Sequence, residues 1–139
     1  MGMRDSENDR ISCRLKGAGA ITQASAAARA FGEAQWLSED ETARLCIIIE
    51  ELLANLYDHG GVTGEDEVRL ELESEADGLR VVIVDPGKPF DPRQALVRSN
   101  SPERGGGAGI DIVRAWAQLV SYEAAPKANR LELVLPILR

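Results

Sequence analysis

At 139 residues, with 44% apolar and 28% charged content, the chain has the size and balance of one soluble globular domain around one core. A formal net charge of −7 argues against a nucleic-acid backbone or an anionic membrane as the main partner, and no apolar run is long enough to span a bilayer. Met1 to Arg10 is polar and lacks the pattern of a signal peptide, so a cytoplasmic location is expected, with Cys13 and Cys46 as reduced core thiols.

Residues 1–9 offer nothing to bury and read as a flexible N-terminal tail, leaving a single domain over 10–139. Ile11 to Leu15 is a short strand, and Gly17 and Gly19 then break the chain. Ala20 to Leu37 reads as a helix with Ile21, Ala24, Ala28 and Phe31 at helical spacing. Ser38 is a good N-cap, and Glu41 three residues later completes a capping box, so a second helix is predicted to about Tyr57, ended by His59-Gly60-Gly61. Val68, Leu70 and Leu72 alternate with charged residues as a half-buried strand. Ala76-Asp77-Gly78 turns into a more apolar strand over Leu79 to Val84, which predicts a hairpin.

Asp85 to Gly109 reads as one long irregular segment, with four of the six prolines and five of the thirteen glycines. Loops of that length inside a domain are usually functional. A helix over Ile110 to Leu119 would place Ile110, Val113, Ala117 and Val120 on one side. Ser121 to Ala124 and Leu131 to Leu135 close the chain as a hairpin. This order lacks the strict alternation of a doubly wound parallel sheet. It predicts an α/β fold of the α+β sandwich kind: a mixed, mainly antiparallel sheet with helices on one face.

Three motifs carry chemistry. On the second helix Glu51 and Asn55 stand four apart and share a face, which Asp58 continues. A magnesium ion accepts an Asn carbonyl and keeps several waters, and a carboxylate one turn away can serve as general base. Glu50 reads as a solvent-facing carboxylate, and His59 as a helix-end residue. Asp85 ends a buried strand and enters Pro86-Gly87. It is an acceptor suited to an exocyclic amino group such as that of adenine, and Gly87 lets a base approach the backbone; Phe90 re-anchors the chain. Gly105-Gly106-Gly107-Ala108-Gly109 abuts the helix at Ile110, so backbone N–H groups and a helix N-terminus can converge on phosphate oxygens. No Gly-Lys-Ser/Thr follows and no strand immediately precedes, so it is neither a Walker A loop nor a dinucleotide fingerprint.

In order and separation these motifs resemble the N, G1 and G2 boxes of the GHKL ATPases (Bergerat fold), which include gyrase-type and histidine-kinase ATP-binding domains. The Pro89-Phe90-Asp91-Pro92 ending, and the tail Val120-Ser121-Tyr122-Glu123 with Asn129 before a last strand, resemble the stand-alone anti-sigma-factor serine-protein kinase branch. The resemblance covers most of residues 11–137. It implies ATP and Mg2+ as cofactors, with Glu51 as general base and Asn55 as the magnesium ligand. It implies Asp85 at the adenine amino group and Gly87 and Phe90 beside the base. Gly105, Gly107 and Gly109 would hold the phosphates, with Arg104, Gly106, Ala108, Ile110 and Asp58 also lining the nucleotide. Ala108 stands where the family more often has a larger apolar residue, and Glu103 and Asp111 bring negative charge near the phosphate end.

The function so implied is an anti-sigma factor and protein-serine kinase. Its partners would be a small serine-phosphorylated antagonist and a sigma factor, with no direct nucleic acid, no membrane and a possible homodimer. The alternative is an ATP-gated binding regulator without turnover. A histidine-kinase catalytic domain is disfavoured by the lack of an upstream phosphoacceptor helix, and a gyrase-type ATPase by the lack of a transducer domain.

Overall fold

The computed structural model describes residues 9–89 and 106–137, with the backbone alone over 106–110. Among the described residues the elements run β1 (Arg10–Leu15), α1 (Ala20–Ala34), α2 (Glu39–Asp58), β2 (Val68–Ser74), β3 (Gly78–Asp85), α3 (Gly106–Trp116), β4 (Gln118–Ala124) and β5 (Asn129–Pro136). The strands form one sheet in the order β1-β2-β3-β5-β4, and every pairing is antiparallel. No described helix is long and apolar enough to cross a membrane.

Alternation along the strands sorts the sheet into two faces. Val68, Leu70 and Leu72 of β2, Leu79, Val81 and Ile83 of β3, and Leu131, Leu133 and Leu135 of β5 are buried in one core. Helix α2 meets that core with Leu45, Ile48, Ile49, Leu52 and Leu53. Each such side chain contributes about 1.5–3 kcal/mol by leaving water, which fastens this helix to the sheet. The opposite face is charged: Arg80 is ion-paired with Glu73, Glu75 and Glu132, and Arg130 with Glu132. A depression of about 160 Å3 lies there among Arg10, Glu71, Glu73, Arg80, Val82 and Arg130, and it contains none of the motif residues.

The local signals around α2 hold. Ser38 Oγ accepts the Glu41 N–H at 3.0 Å, and the Glu41 carboxylate accepts the Ser38 N–H at 2.9 Å. At the other end the Asn55 carbonyl accepts the N–H groups of His59 at 2.8 Å and Gly60 at 3.0 Å. The predicted β2–β3 and β4–β5 hairpins also form.

Three boundaries differ from expectation. Helix α1 stops at Ala34 rather than Leu37, because Trp36 takes a left-handed backbone with φ of 61°. Helix α3 spans Gly106–Trp116 rather than Ile110–Leu119, so Gly106 to Gly109 form its first turn instead of a loop before it. Strand β4 starts at Gln118 rather than Ser121. Val120 is therefore not on the apolar side of a helix. Leu119 faces Leu133 and Ser121 faces Glu132, which leaves Val120 as the extra residue of a β-bulge, 47% exposed. The spacing of Val113, Ala117 and Val120 fits a helix, but the chain has already turned into the sheet. The remainder of the expected irregular segment, 90–105, lies outside the described residues, as does the tail over 1–8. The Asp9 carbonyl accepts the Ser74 N–H at 2.7 Å, so backbone pairing already begins at residue 9.

Candidate functional site

Asp85 and Asn129 meet because of strand parity. Asp85 continues the inward series Leu79, Val81, Ile83, and Asn129 begins the inward series Leu131, Leu133, Leu135. The β3–β5 register places the two directly opposite each other at the end of the sheet. Both are buried, Asp85 at 5% and Asn129 at 2% exposure.

Their hydrogen bonds build a rigid corner. Asn129 Nδ2 donates to the Gly87 carbonyl at 2.8 Å and to Asp85 Oδ1 at 3.3 Å. The Gly87 N–H donates to the same Oδ1 at 2.8 Å. Among the described residues both donors to this carboxylate use Oδ1, which leaves Oδ2 to accept from elsewhere. Burial pushes the Asp85 carboxyl above the usual carboxylate range, while the Gly87 N–H and the Asn129 amide pull it back. A charge kept in the interior on few donors is suited to a ligand that brings another.

The same corner is clamped to the end of α2. The Lys88 N–H donates to the Gly60 carbonyl at 2.7 Å. A Cβ on Gly87 would stand 2.3 Å from that Gly60 oxygen and 2.8 Å from Val62 Cγ2, so only glycine fits there. Gly61 is left-handed at φ of 73°, and a side chain on it would meet the Lys88 stem at 3.4 Å. The glycines that end α2 thus seat the Asp85–Gly87 turn against the helix that carries Glu51 and Asn55.

On α2 itself, Asn55 is 8% exposed and its buried Nδ2 has no hydrogen-bond partner among the described residues. An amide orphaned in the interior fits a site that a ligand completes. Glu50 is not the solvent-facing carboxylate expected of it: it is half-buried and accepts the Ser25 hydroxyl from α1 at 2.6 Å. Glu51, one residue on, is half-buried and its side chain makes no hydrogen bond to a described residue, so the two adjacent carboxylates are separated by their partners. Asp58 and His59 are exposed at the helix end.

No group of three or more His, Cys, Asp or Glu that could hold a metal occurs among the described residues. A magnesium ion here would take few protein oxygens, Asn55 Oδ1 foremost, and fill its shell with phosphate oxygens and water, which is how that ion is commonly held. The residues present therefore fit Mg2+ bound together with a nucleotide. Phe90, Arg104 and Gly105 lie outside the described residues. Gly106, Gly107, Ala108, Gly109 and Ile110 fall in the first turns of α3, whose leading N–H groups have no partner within the helix. Motif reading noted Asn129 only as the residue before the last strand and did not join it to Asp85; extending the alternation of β5 back by one inward position would have placed it in this corner.

The family model of the histidine kinase-like ATPase domain matches residues 17–135 of this chain. Among solved structures, the chain is similar to the catalytic domain of histidine kinase ThkA at 12% identity and a TM-score of 0.54, covering 91% of this chain and 96% of that one. It is also similar to the mycobacterial sensor histidine kinase MprB at 22% identity and a TM-score of 0.50, covering 69% of this chain and 72% of that one. At these identities the likeness is one of fold. No curated protein matches the chain.

Proposed function

The chain belongs to the histidine kinase-like ATPase domain family, and from that premise we propose that it is an ATP-binding protein-serine kinase and anti-sigma factor. It would phosphorylate a small antagonist on serine and hold a sigma factor in a partner-switching pathway. The buried Asp85, with Oδ1 taken by Gly87 and Asn129 and Oδ2 left for a donor, is the observation that carries the nucleotide half of the reading. The motif Pro89-Phe90-Asp91-Pro92 and the tail Val120-Ser121-Tyr122-Glu123 support the serine-kinase branch.

In this reading Asp85 Oδ2 accepts the exocyclic amino group of adenine, and the bare Gly87 backbone leaves room for the base. Asn55 would hold the magnesium ion, which when bound would neutralise charge on the phosphates. The first N–H groups of α3 take phosphate oxygens. Glu51 accepts the proton of the serine hydroxyl as its oxygen bonds to the γ-phosphorus. The bond from that phosphorus to the bridging oxygen breaks, and ADP departs.

Two variants test the two halves separately. Asp85→Asn keeps an Oδ1 acceptor for Gly87 and Asn129 but turns Oδ2 into a donor facing the adenine amino group. The expected result is a folded protein whose ATP affinity, by calorimetry, falls at least tenfold. Glu51→Ala should keep ATP binding while transfer from labelled ATP to the antagonist falls about 100-fold or more, as for loss of a general base. Absence of transfer by the natural protein, with ATP bound and intact, would replace the kinase by the ATP-gated regulator. That second reading draws on Asp111, an exposed carboxylate near the start of α3.

A further inference from the structure

Helix α1 ends in a motif that is usually built on glycine. The Leu37 N–H donates to the Gly32 carbonyl at 3.0 Å and the Trp36 N–H to the Glu33 carbonyl at 3.1 Å. These are the two closing bonds of a Schellman turn, whose left-handed position favours glycine because a Cβ is strained there. Here that position holds Trp36, at φ of 61° and 88% exposed.

The indole is displayed rather than tucked away, and its base is firm. Gln35 before it is buried, and Leu37 after it packs on the core. Gly32 lies so close to α2 that a Cβ there would come within 2.9 Å of Thr42 Oγ1. Flanking Trp36 in the chain are the exposed carboxylates Glu33, Glu39 and Asp40. An exposed aromatic ring flanked in the chain by carboxylates offers a cation two attractions, the ring quadrupole and charge. The chain itself uses half of that pairing, since the Arg44 guanidinium lies 5.6 Å from the Trp116 ring.

We propose that Trp36, with Glu33, Glu39 and Asp40, is a docking surface for an arginine- or lysine-bearing segment of a partner protein. A partner cation stacks on the indole while the carboxylates neutralise its neighbours. The surface sits at the start of α2 and Asn55 near its end, about 25 Å apart along the helix at 1.5 Å per residue, so docking here is separate from the nucleotide end.

The test uses the full chain and a labelled model peptide, an amphipathic helix of leucine and arginine, beside the same peptide with glutamate for each arginine. Fluorescence anisotropy should show saturable binding of the arginine peptide alone, weakening as salt is raised. Trp36→Gly should weaken it at least tenfold, and Glu33→Gln with Glu39→Gln severalfold. Trp36→Gly should leave ATP affinity unchanged and the melting temperature equal to or above that of the natural chain, so lost binding is not lost folding. Equal binding of both peptides, or unaltered binding by Trp36→Gly, overturns the proposal. Sedimentation showing a dimer that Trp36→Gly dissolves also overturns it, by assigning the surface to a second copy of the chain.

Discussion

The two ends of α2 are both tight corners, and they solve the left-handed or crowded backbone in opposite ways. At the C-terminal end the chain uses glycine where nothing else fits: a Cβ on Gly87 would stand 2.3 Å from the Gly60 oxygen. At the N-terminal end it uses tryptophan where glycine would be easier, with Trp36 left-handed and exposed. The first corner brings backbone close to backbone and builds a buried polar site. The second holds an aromatic out into water. Stability favours the residue found at the first corner and disfavours the one found at the second, so the second is the place where something other than folding shaped the choice.

Substitutions can break or sharpen this contrast. Gly87→Ala should have the largest effect, because the added methyl meets a carbonyl that is itself bonded to Lys88. A loss of about 2–3 kcal/mol in chemical denaturation is expected, of the size seen for overpacking, together with weakened ATP binding. Asn129→Ala removes the one donor shared by Gly87 and Asp85 and leaves both acceptors short. It should cost about 2 kcal/mol by the same measurement. If the fold tolerates Asn129→Ala without loss, the corner is held by the Gly60–Lys88 clamp alone.

Trp36→Gly should move the other way, gaining about 1 kcal/mol as the strained Cβ is removed. A loss of stability there would mean that the indole packs on something and is not held out for a partner. The smallest effect is a pH slope. The native Asp85 carboxyl is raised by burial, so the folded state binds its proton more tightly than the unfolded one. Its contribution to stability is thus full below the unfolded pKa and is lost as pH rises through the native one. Asp85→Asn should flatten that decline, so its stability relative to the natural chain rises across the window and then levels off. Denaturation midpoints taken at several pH values would show it.

Much of the frame was legible along the chain, because its signals are short-range. The Ser38–Glu41 capping box is formed by neighbours in sequence, and the β2–β3 hairpin by a turn and two alternating strands. The candidate site was read from the sequence where motif and element coincide, at Asp85, Gly87, Glu51 and Asn55, and of these the structure joins Asp85 and Gly87 in one hydrogen-bonded corner. Asn129 lies 44 residues beyond Asp85. Val120 was misplaced because three residues at helical spacing cannot reveal that the helix has ended and a bulge has begun. Spacing to Asn55 singles out Glu51 in the sequence, but that its neighbour Glu50 is held by Ser25 of a different helix is visible only in the packing.

What the sequence determined by itself is the set of elements and the polar residues spaced one turn apart on α2, since capping, alternation and helical period all act within a few residues. What only the tertiary structure decided is which of those residues share a corner. The sheet register set Asp85 against Asn129, and the bare backbones of Gly60 and Gly87 let the end of one helix press on the turn after a distant strand. Such contacts depend on how far apart packed elements sit, and that distance is a property of the whole core rather than of any segment.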